Sequence, residues 1–286
     1  MRRLGRSALA VPDIWQASHP VIFEAEGRAS ALTGRLQLLA QADAGEKVAV
    51  IAVSHTERRA VGSLEFSNPH WEALTPETQQ AFYKVAGLEF IDRFYLAGGS
   101  GLALHLGHRF SVDLDFFSPH EQAVGPDQRA ALREAFADPT LSITIDKDAT
   151  FLATYRGVGL NFFRLSIYPL ARSTLLAAGV PVASLDEIGA MKLAAIIDRG
   201  TRKDLVDLYY ILQHLPIERL FEVAAVKYAR VRTFAVSATR ALAYFADAEA
   251  LPMPRMIDRT SWPTMKRFLE RQAMEAGRKR LEDLWD

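Results

Sequence analysis

The sequence predicts an α+β fold: a small mixed sheet flanked by helices, followed by a helical second half. Three observations predict it. Strand-like runs cluster before residue 170, helix-start signals dominate after residue 184, and residues 94–118 read as strand, glycine turn, helix and strand in succession. The 286 residues balance 34 Lys+Arg against 34 Asp+Glu, so a uniformly basic nucleic-acid coat is not expected. A hydrophobic content of 49% is enough for a packed core. The chain has no cysteine, which excludes a disulfide scaffold, Cys-ligated zinc and a thiol nucleophile. No apolar run approaches the ~20 residues of a membrane helix. The apolar stretch after the basic N-terminus is short and is interrupted by Pro12 and Asp13, so a secretion signal is not expected. The expectation is a cytoplasmic protein without a membrane partner.

Residues 1–70 hold short apolar pieces broken by glycine and charge, with a helix expected over 28–41 and two strands within 47–66. They are set apart as an N-terminal extension, with Ser67 to His70 as a linker. Thr75, Pro76 and Glu77 supply a cap, a proline in the first helical position and an acid in the first turn, so a helix is expected over 75–92. Residues 94–97 form a short apolar strand, Gly98-Gly99 a turn, and 100–106 a helix closed by Gly107. Residues 111–118 read as a strand, and Pro126 opens a helix over 126–137. Runs at 141–145, 150–155 and 158–168 alternate at short spacing and should be sheet neighbours. After residue 175 the chain is expected to turn helical. Ser184 to Glu187 reads as a capping box opening a helix over 185–198, and further helices are expected over 202–214, 217–230, 233–247 and 263–284. The expected divisions are 1–70, 71–180 and a helical 181–286.

The chemistry is concentrated in one segment. Asp113 and Asp115 are two apart on a strand, so both carboxylates face the same side, framed by Val112, Leu114, Phe116 and Phe117. Two like charges on a hydrophobic strand repel each other, and a divalent cation with a taste for hard oxygen, Mg²⁺ or Mn²⁺, offsets them. Gly98, Gly99 and Ser100 follow a strand and open a helix. Glycine lets a ligand approach the backbone, and the helix end offers N–H groups and partial positive charge to an anion. The Ser100 hydroxyl adds a donor. Each feature alone has an ordinary explanation, a plain turn or a solvated strand edge; their conjunction favours phosphoryl or nucleotidyl transfer. Arg109 lies between turn and acids, either to touch substrate or to balance Asp113 and Asp115. His105 and His108 are a weak zinc pair.

Leu96-Ala-Gly-Gly-Ser followed by Asp113-Leu-Asp-Phe resembles the signature of the nucleotidyltransferase superfamily with the DNA polymerase β fold. More narrowly, residues 95–118, with the later block from Ala190 through Lys192, Lys203 and Asp204 to Leu212, resemble the AbiEii/AbiGii-type nucleotidyltransferase toxins over residues 72–250. The resemblance implies a minimal nucleotidyltransferase core with a helical C-terminal domain. It implies that Gly99 and Ser100 contact triphosphate, that Asp113 and Asp115 bind Mg²⁺, that Lys192 reaches phosphate or assists transfer, and that Lys203 and Asp204 line the cleft. It further implies an NTP substrate, an RNA (tRNA) or protein acceptor and an antitoxin encoded nearby. The residues have plainer readings: Lys192 snorkelling from an apolar stretch, Asp204 favoured by the helix dipole, and Asp207 pairing with Lys203 one turn away. One departure stands out. The strand over 158–168 carries no acid, and Asn161 is its nearest polar candidate, so no third carboxylate is available and the general base is unnamed. Asp146 and Asp148 read as loop residues. The alternatives are a non-catalytic nucleotide-, RNA- or antitoxin-binding member of the fold, and a transferase acting on a small molecule such as an antibiotic.

Overall fold

A computed structural model describes residues 64–282 of the chain. The helix expected over 28–41, and the strand pair within 47–66 apart from its last residues, lie outside them. Those last residues form β1 (Leu64–Glu65). The linker then ties back to the core, where the His70 N–H donates to the Leu104 carbonyl at 2.9 Å.

Helix α1 (Pro76–Ala86) begins as expected, with the Thr75 hydroxyl accepting from the Thr78 N–H. It stops at Gly87, short of the expected residue 92. Leu88 and Ile91 leave the helical path to join the core through a tight 3₁₀ turn at Ile91–Arg93. Next come β2 (Tyr95–Ala97), α2 (Gly98–Leu106), β3 (Asp113–Ser118) and α3 (Pro126–Ala135). Three strands follow, β4 (Ser142–Lys147), β5 (Thr150–Tyr155) and β6 (Val158–Arg164), and they pair as antiparallel neighbours as expected.

The expectation of helix after residue 175 is corrected. Thr174–Ala177 and Val180–Ala183 form an antiparallel hairpin, β7 and β8. Its two turn residues, Ala178 and Gly179, both have positive φ, the geometry that matches the twist of a two-residue hairpin. The helix-favouring Leu-Leu-Ala-Ala composition is overridden because β8 joins the sheet beside β2, where Val180 and Val182 are fully buried.

The helices then run α4 (Leu185–Asp198), α5 (Arg202–Ile211), α6 (Ile217–Lys227), α7 (Phe234–Leu242), α8 (Ala246–Glu249) and α9 (Trp262–Glu282). The single helix expected over 233–247 is thus two. The capping box at Ser184 is not formed: the Ser184 hydroxyl donates to Asp186 at 2.6 Å. Glu187 turns inward to pair with Lys227 at 2.7 Å and to accept from the Ala171 N–H. A fully buried carboxylate needs a counter-charge more than an exposed helix end needs a cap.

Among the described residues the sheet has eight strands in the order β1-β7-β8-β2-β3-β6-β5-β4. β3 lies inside it, antiparallel to β2 and parallel to β6. Side-chain alternation divides the core in two. Leu96, Leu114, Phe116 and Phe162 face the side covered by α1 and α3, with Phe82 and Leu132. Tyr95, Ala97 and Phe117 face the helical second half, with Ile188, Leu193, Leu205 and Leu220. Asp113 and Asp115 share the parity of Phe117, so the acids meet the helical half at the open end of the face that Phe117 seals. Among the described residues, no helix is long and apolar enough to cross a membrane.

Candidate active site

β2 ends at Ala97 and the chain turns at once into α2, a reversal that requires a residue in the left-handed region; Gly98 has φ +61°. Space is equally limiting. A Cβ on Gly98 would collide with the Asp115 carboxylate, and one on Gly99 would lie 2.6 Å from Arg109 Nη2 and 2.9 Å from Ser111 Oγ. The two glycines therefore form the floor between the acid pair and Arg109. The first turn of α2, whose N–H groups have no partner within the helix, opens at this floor. Ser100 is fully buried, and its hydroxyl donates to the Asp113 backbone carbonyl, fastening α2 to β3. The Ser100 hydroxyl is thus spent on the fold and is not offered to a ligand.

Asp113 and Asp115 are half-buried and stand side by side on β3. Neither has an ion-pair partner among the described residues. Asp115 accepts from Asn161 Nδ2 at 2.9 Å, from the position directly opposite it on β6. Burial pushes the Asp115 carboxyl above the usual range; the Asn161 bond opposes this, the Asp113 charge reinforces it, and Lys203 and Lys192 oppose it. Two carboxylates this close, neither in an ion pair among the described residues, favour a cation between them.

Beneath them lies a buried ion network joining three parts of the chain. Arg109 grips Asp207 with two bonds, Nε to Oδ1 at 2.6 Å and Nη2 to Oδ2 at 2.8 Å, and His108 Nε2 lies 2.9 Å from Oδ1. Lys192 Nζ bridges Asp207 at 2.6 Å and Asp204 at 2.8 Å. Asp204 also accepts from Arg199 Nε at 2.9 Å and from the Thr201 hydroxyl. Burial alone would raise the Asp207 carboxyl, but the charges of Arg109 and Lys192 hold it well below the usual range. Asp204 is likewise lowered against its burial by Lys192 and Arg199. Burial would lower the Lys192 ammonium, yet Asp204 and Asp207 hold it above its ordinary value. His108 goes the other way: burial outweighs the Asp207 contact and favours the neutral ring. The acid pair and the network act on each other: Asp113 acts on Arg109, and Asp115 acts on both Lys192 and Arg199, where Asp198 also acts.

The structure thus brings Gly98, Gly99, Asp113, Asp115 and Arg109 together and backs them with Lys192 and Asp204. Lys203 is exposed at the rim, close enough to act on Asp115. The expected Asp207–Lys203 pair is not formed. Asp207 is fully buried and bound to Arg109, His108 and Lys192, because two fixed cations compensate its desolvation better than one solvated lysine would. The histidines do not converge: His105 bonds to the Ala183 carbonyl and His108 to Asp207. Asp146 is a β4 residue paired with Arg129 and Arg133, and Asp148 pairs with Arg164; neither belongs to this site. The sequence alone gives no site role to Asp207, Arg199, Ser111 or Gly159, and it offers His108 only as half of a zinc pair that does not form. The repeat of Asp three residues after Asp204 was the available signal for Asp207.

This network makes stability acid-sensitive. His108 is held neutral, so below about pH 6.5 the unfolded chain binds a proton that the folded chain refuses, and stability declines as pH falls. Asp204 and Asp207 have lowered folded values, so their contribution is complete above about pH 4 and disappears below it. Asp115, raised, works in the opposite sense and partly offsets the loss. Urea midpoints between pH 7 and pH 3 should fall gently and then steeply, and Asp207→Asn should flatten the steep part. A midpoint independent of pH across that interval would contradict the network.

A family model described as "Nucleotidyl transferase AbiEii toxin, Type IV TA system" matches residues 85–286. An uncharacterized protein of Aquifex aeolicus (strain VF5) is 28% identical over 206 residues, which cover 71% of this chain and 97% of that protein. Among solved structures, the chain is similar to MenT4, a nucleotidyltransferase toxin of Mycobacterium tuberculosis H37Rv, with 17% identity, a TM-score of 0.48, and coverage of 69% of this chain and 82% of that one. It is also similar to the antibiotic-resistance factor ANT(2'')-Ia, with 17% identity, a TM-score of 0.41, and coverage of 55% and 94%.

Proposed function

We propose, from the premise that this chain belongs to the AbiEii family of nucleotidyl transferase toxins, that it moves a nucleoside monophosphate from an NTP to an acceptor group and releases pyrophosphate. The observation that carries this reading is the meeting of two carboxylates, neither ion-paired among the described residues, with a glycine floor and a helix N-terminus, beside the buried network of Arg109, Lys192 and Asp207.

The donor set fits magnesium. It offers hard carboxylate oxygens from two residues, and Mg²⁺ at nucleotide sites takes one or two carboxylates and leaves its other positions to phosphate and water. Asp113 and Asp115 would hold it; when bound, it supplies a Lewis acid for a phosphoryl oxygen. The chain's own residues do the rest. Gly98 and Gly99 admit phosphate to the backbone, and the first N–H groups of α2 bind and orient it. Arg109 is fixed by its two-bond grip on Asp207 and adds charge next to Gly99 without moving to do so. Lys192 contributes from below as part of the network, and Asp204 holds Lys192 and Arg199 in place. Lys203 at the rim is free to meet an incoming phosphate or acceptor. Catalysis comes from alignment and charge neutralisation. The acceptor is RNA, with tRNA the leading class, or a protein, and the activity is that of a toxin held in check by an antitoxin encoded nearby.

The test incubates the full chain with each of the four α-labelled NTPs, Mg²⁺ and either total RNA or a cell extract freed of RNA. Label entering RNA or protein, abolished by EDTA, is the expected result, together with growth arrest on expression. Folded protein that binds NTP equally with and without Mg²⁺ and labels nothing would make it a binding member of the fold. Unchanged growth with raised antibiotic tolerance would point to a small-molecule acceptor.

A further inference from the structure

We infer that β6 supplies two positioning residues for the acid pair: Gly159 leaves the space that Asp113 occupies, and Asn161 pins Asp115. This deepens the metal-dependent reading above and rests on it. Asp113 stands opposite Gly159 and Asp115 opposite Asn161 in the parallel β3–β6 ladder, so the four residues lie on one face in register.

Gly159 does not have a positive φ, so its backbone conformation does not demand glycine. Space does. A Cβ there would collide with Asp113 Oδ1 and lie 3.2 Å from Asp113 Cγ. Any side chain at this position forces the Asp113 carboxylate off its seat.

Asn161 donates from Nδ2 to Asp115 Oδ1 at 2.9 Å. The reverse amide orientation would set two oxygens against each other, so the carboxylate itself fixes the donor. The other oxygen, Oδ2, packs against Gly98. Asp115 is therefore held at both oxygens, by an amide on one side and a glycine on the other. A neutral amide does this without the positive charge of a lysine, which would compete with a cation, and without the negative charge of an acid, which would add repulsion. A ligand pinned in this way binds metal more tightly than one free to rotate, and losing such an outer partner weakens affinity roughly ten- to a hundredfold.

The experiment titrates the full-length chain with Mn²⁺ in the absence of nucleotide, reading free Mn²⁺ by electron paramagnetic resonance, with thermal melting as a folding control. Asp115→Asn defines the site by abolishing binding. Asn161→Ala and Asn161→Leu, the second filling the same space without a donor, should both weaken Mn²⁺ roughly ten- to a hundredfold. Gly159→Ala should lose binding. Wild-type affinity in Asn161→Ala and Gly159→Ala, with binding lost in Asp115→Asn, overturns the positioning roles and leaves the proposed function standing. Weakening in Asn161→Ala with wild-type affinity in Asn161→Leu reduces Asn161 to packing and also overturns its role. Failure of the wild-type chain to bind Mn²⁺ removes the metal reading itself.

Discussion

Asp115→Asn should reduce nucleotide transfer by about a thousandfold while leaving the protein at least as stable as wild type. The two effects have opposite signs for one physical reason. Asp115 is half-buried, has no ion-pair partner among the described residues, and is repelled by Asp113, so its charge is a burden to the unliganded fold. Neutralising it with a side chain of the same shape relieves that repulsion. The same charge is half of what would hold the cation, and a cation's stabilisation of phosphoryl charge amounts to several kcal/mol. A loss of about 4 kcal/mol in the transition state is roughly a thousandfold in rate. Asp113→Asn should behave similarly. Single-turnover label transfer alongside thermal melting separates the two readings. A variant that loses both activity and stability would recast Asp115 as a structural residue, and one that keeps full activity would remove the acid pair from catalysis.

The second large effect lies below the site. Asp207→Ala should destabilise the fold by about 3–5 kcal/mol, the range for removing one partner of a buried ion pair. The alanine leaves Arg109 without its two bonds and Lys192 with only Asp204, both still out of water. Lys203→Ala is the natural comparison. Lys203 is exposed on the same helix and should change stability by no more than about 0.5 kcal/mol. Urea unfolding of both variants checks this. Matching curves for the two would mean that the network contributes nothing net. Asp207 also decides where the Arg109 guanidinium sits relative to Gly99.

Some of this was written in local sequence. Two aspartates two residues apart on a strand must share a face, because side chains alternate along any strand. A strand running into Gly98-Gly99 and then a helix must place a glycine corner at a helix N-terminus. Both inferences need only backbone geometry over a few residues, and the acids and the corner do meet. Strands β4, β5 and β6 were legible for the same reason: each is short and alternating, and tight turns separate them.

Other features depended on contacts between distant segments. Helix-favouring residues in Thr174–Ala177 became a strand because a place beside the sheet was available, which no window of sequence reveals. Glu187 left its expected cap for Lys227, forty residues later in the chain, because it was buried. Gly159 and Asn161 gained meaning only from their register against β3. Asp207 illustrates the limit most clearly. Its helical spacing pointed to Lys203, but packing of α5 under the loop before β3 brought it to Arg109, 98 residues away in the chain. Backbone geometry over a few residues is enough to put Asp113 and Asp115 on one side of β3 and a glycine corner at a helix end, because strand alternation and helix ends are local. Which charges pair and which stay unpaired among the described residues follows only from the packed fold, because desolvation and partner choice exist only once distant segments meet.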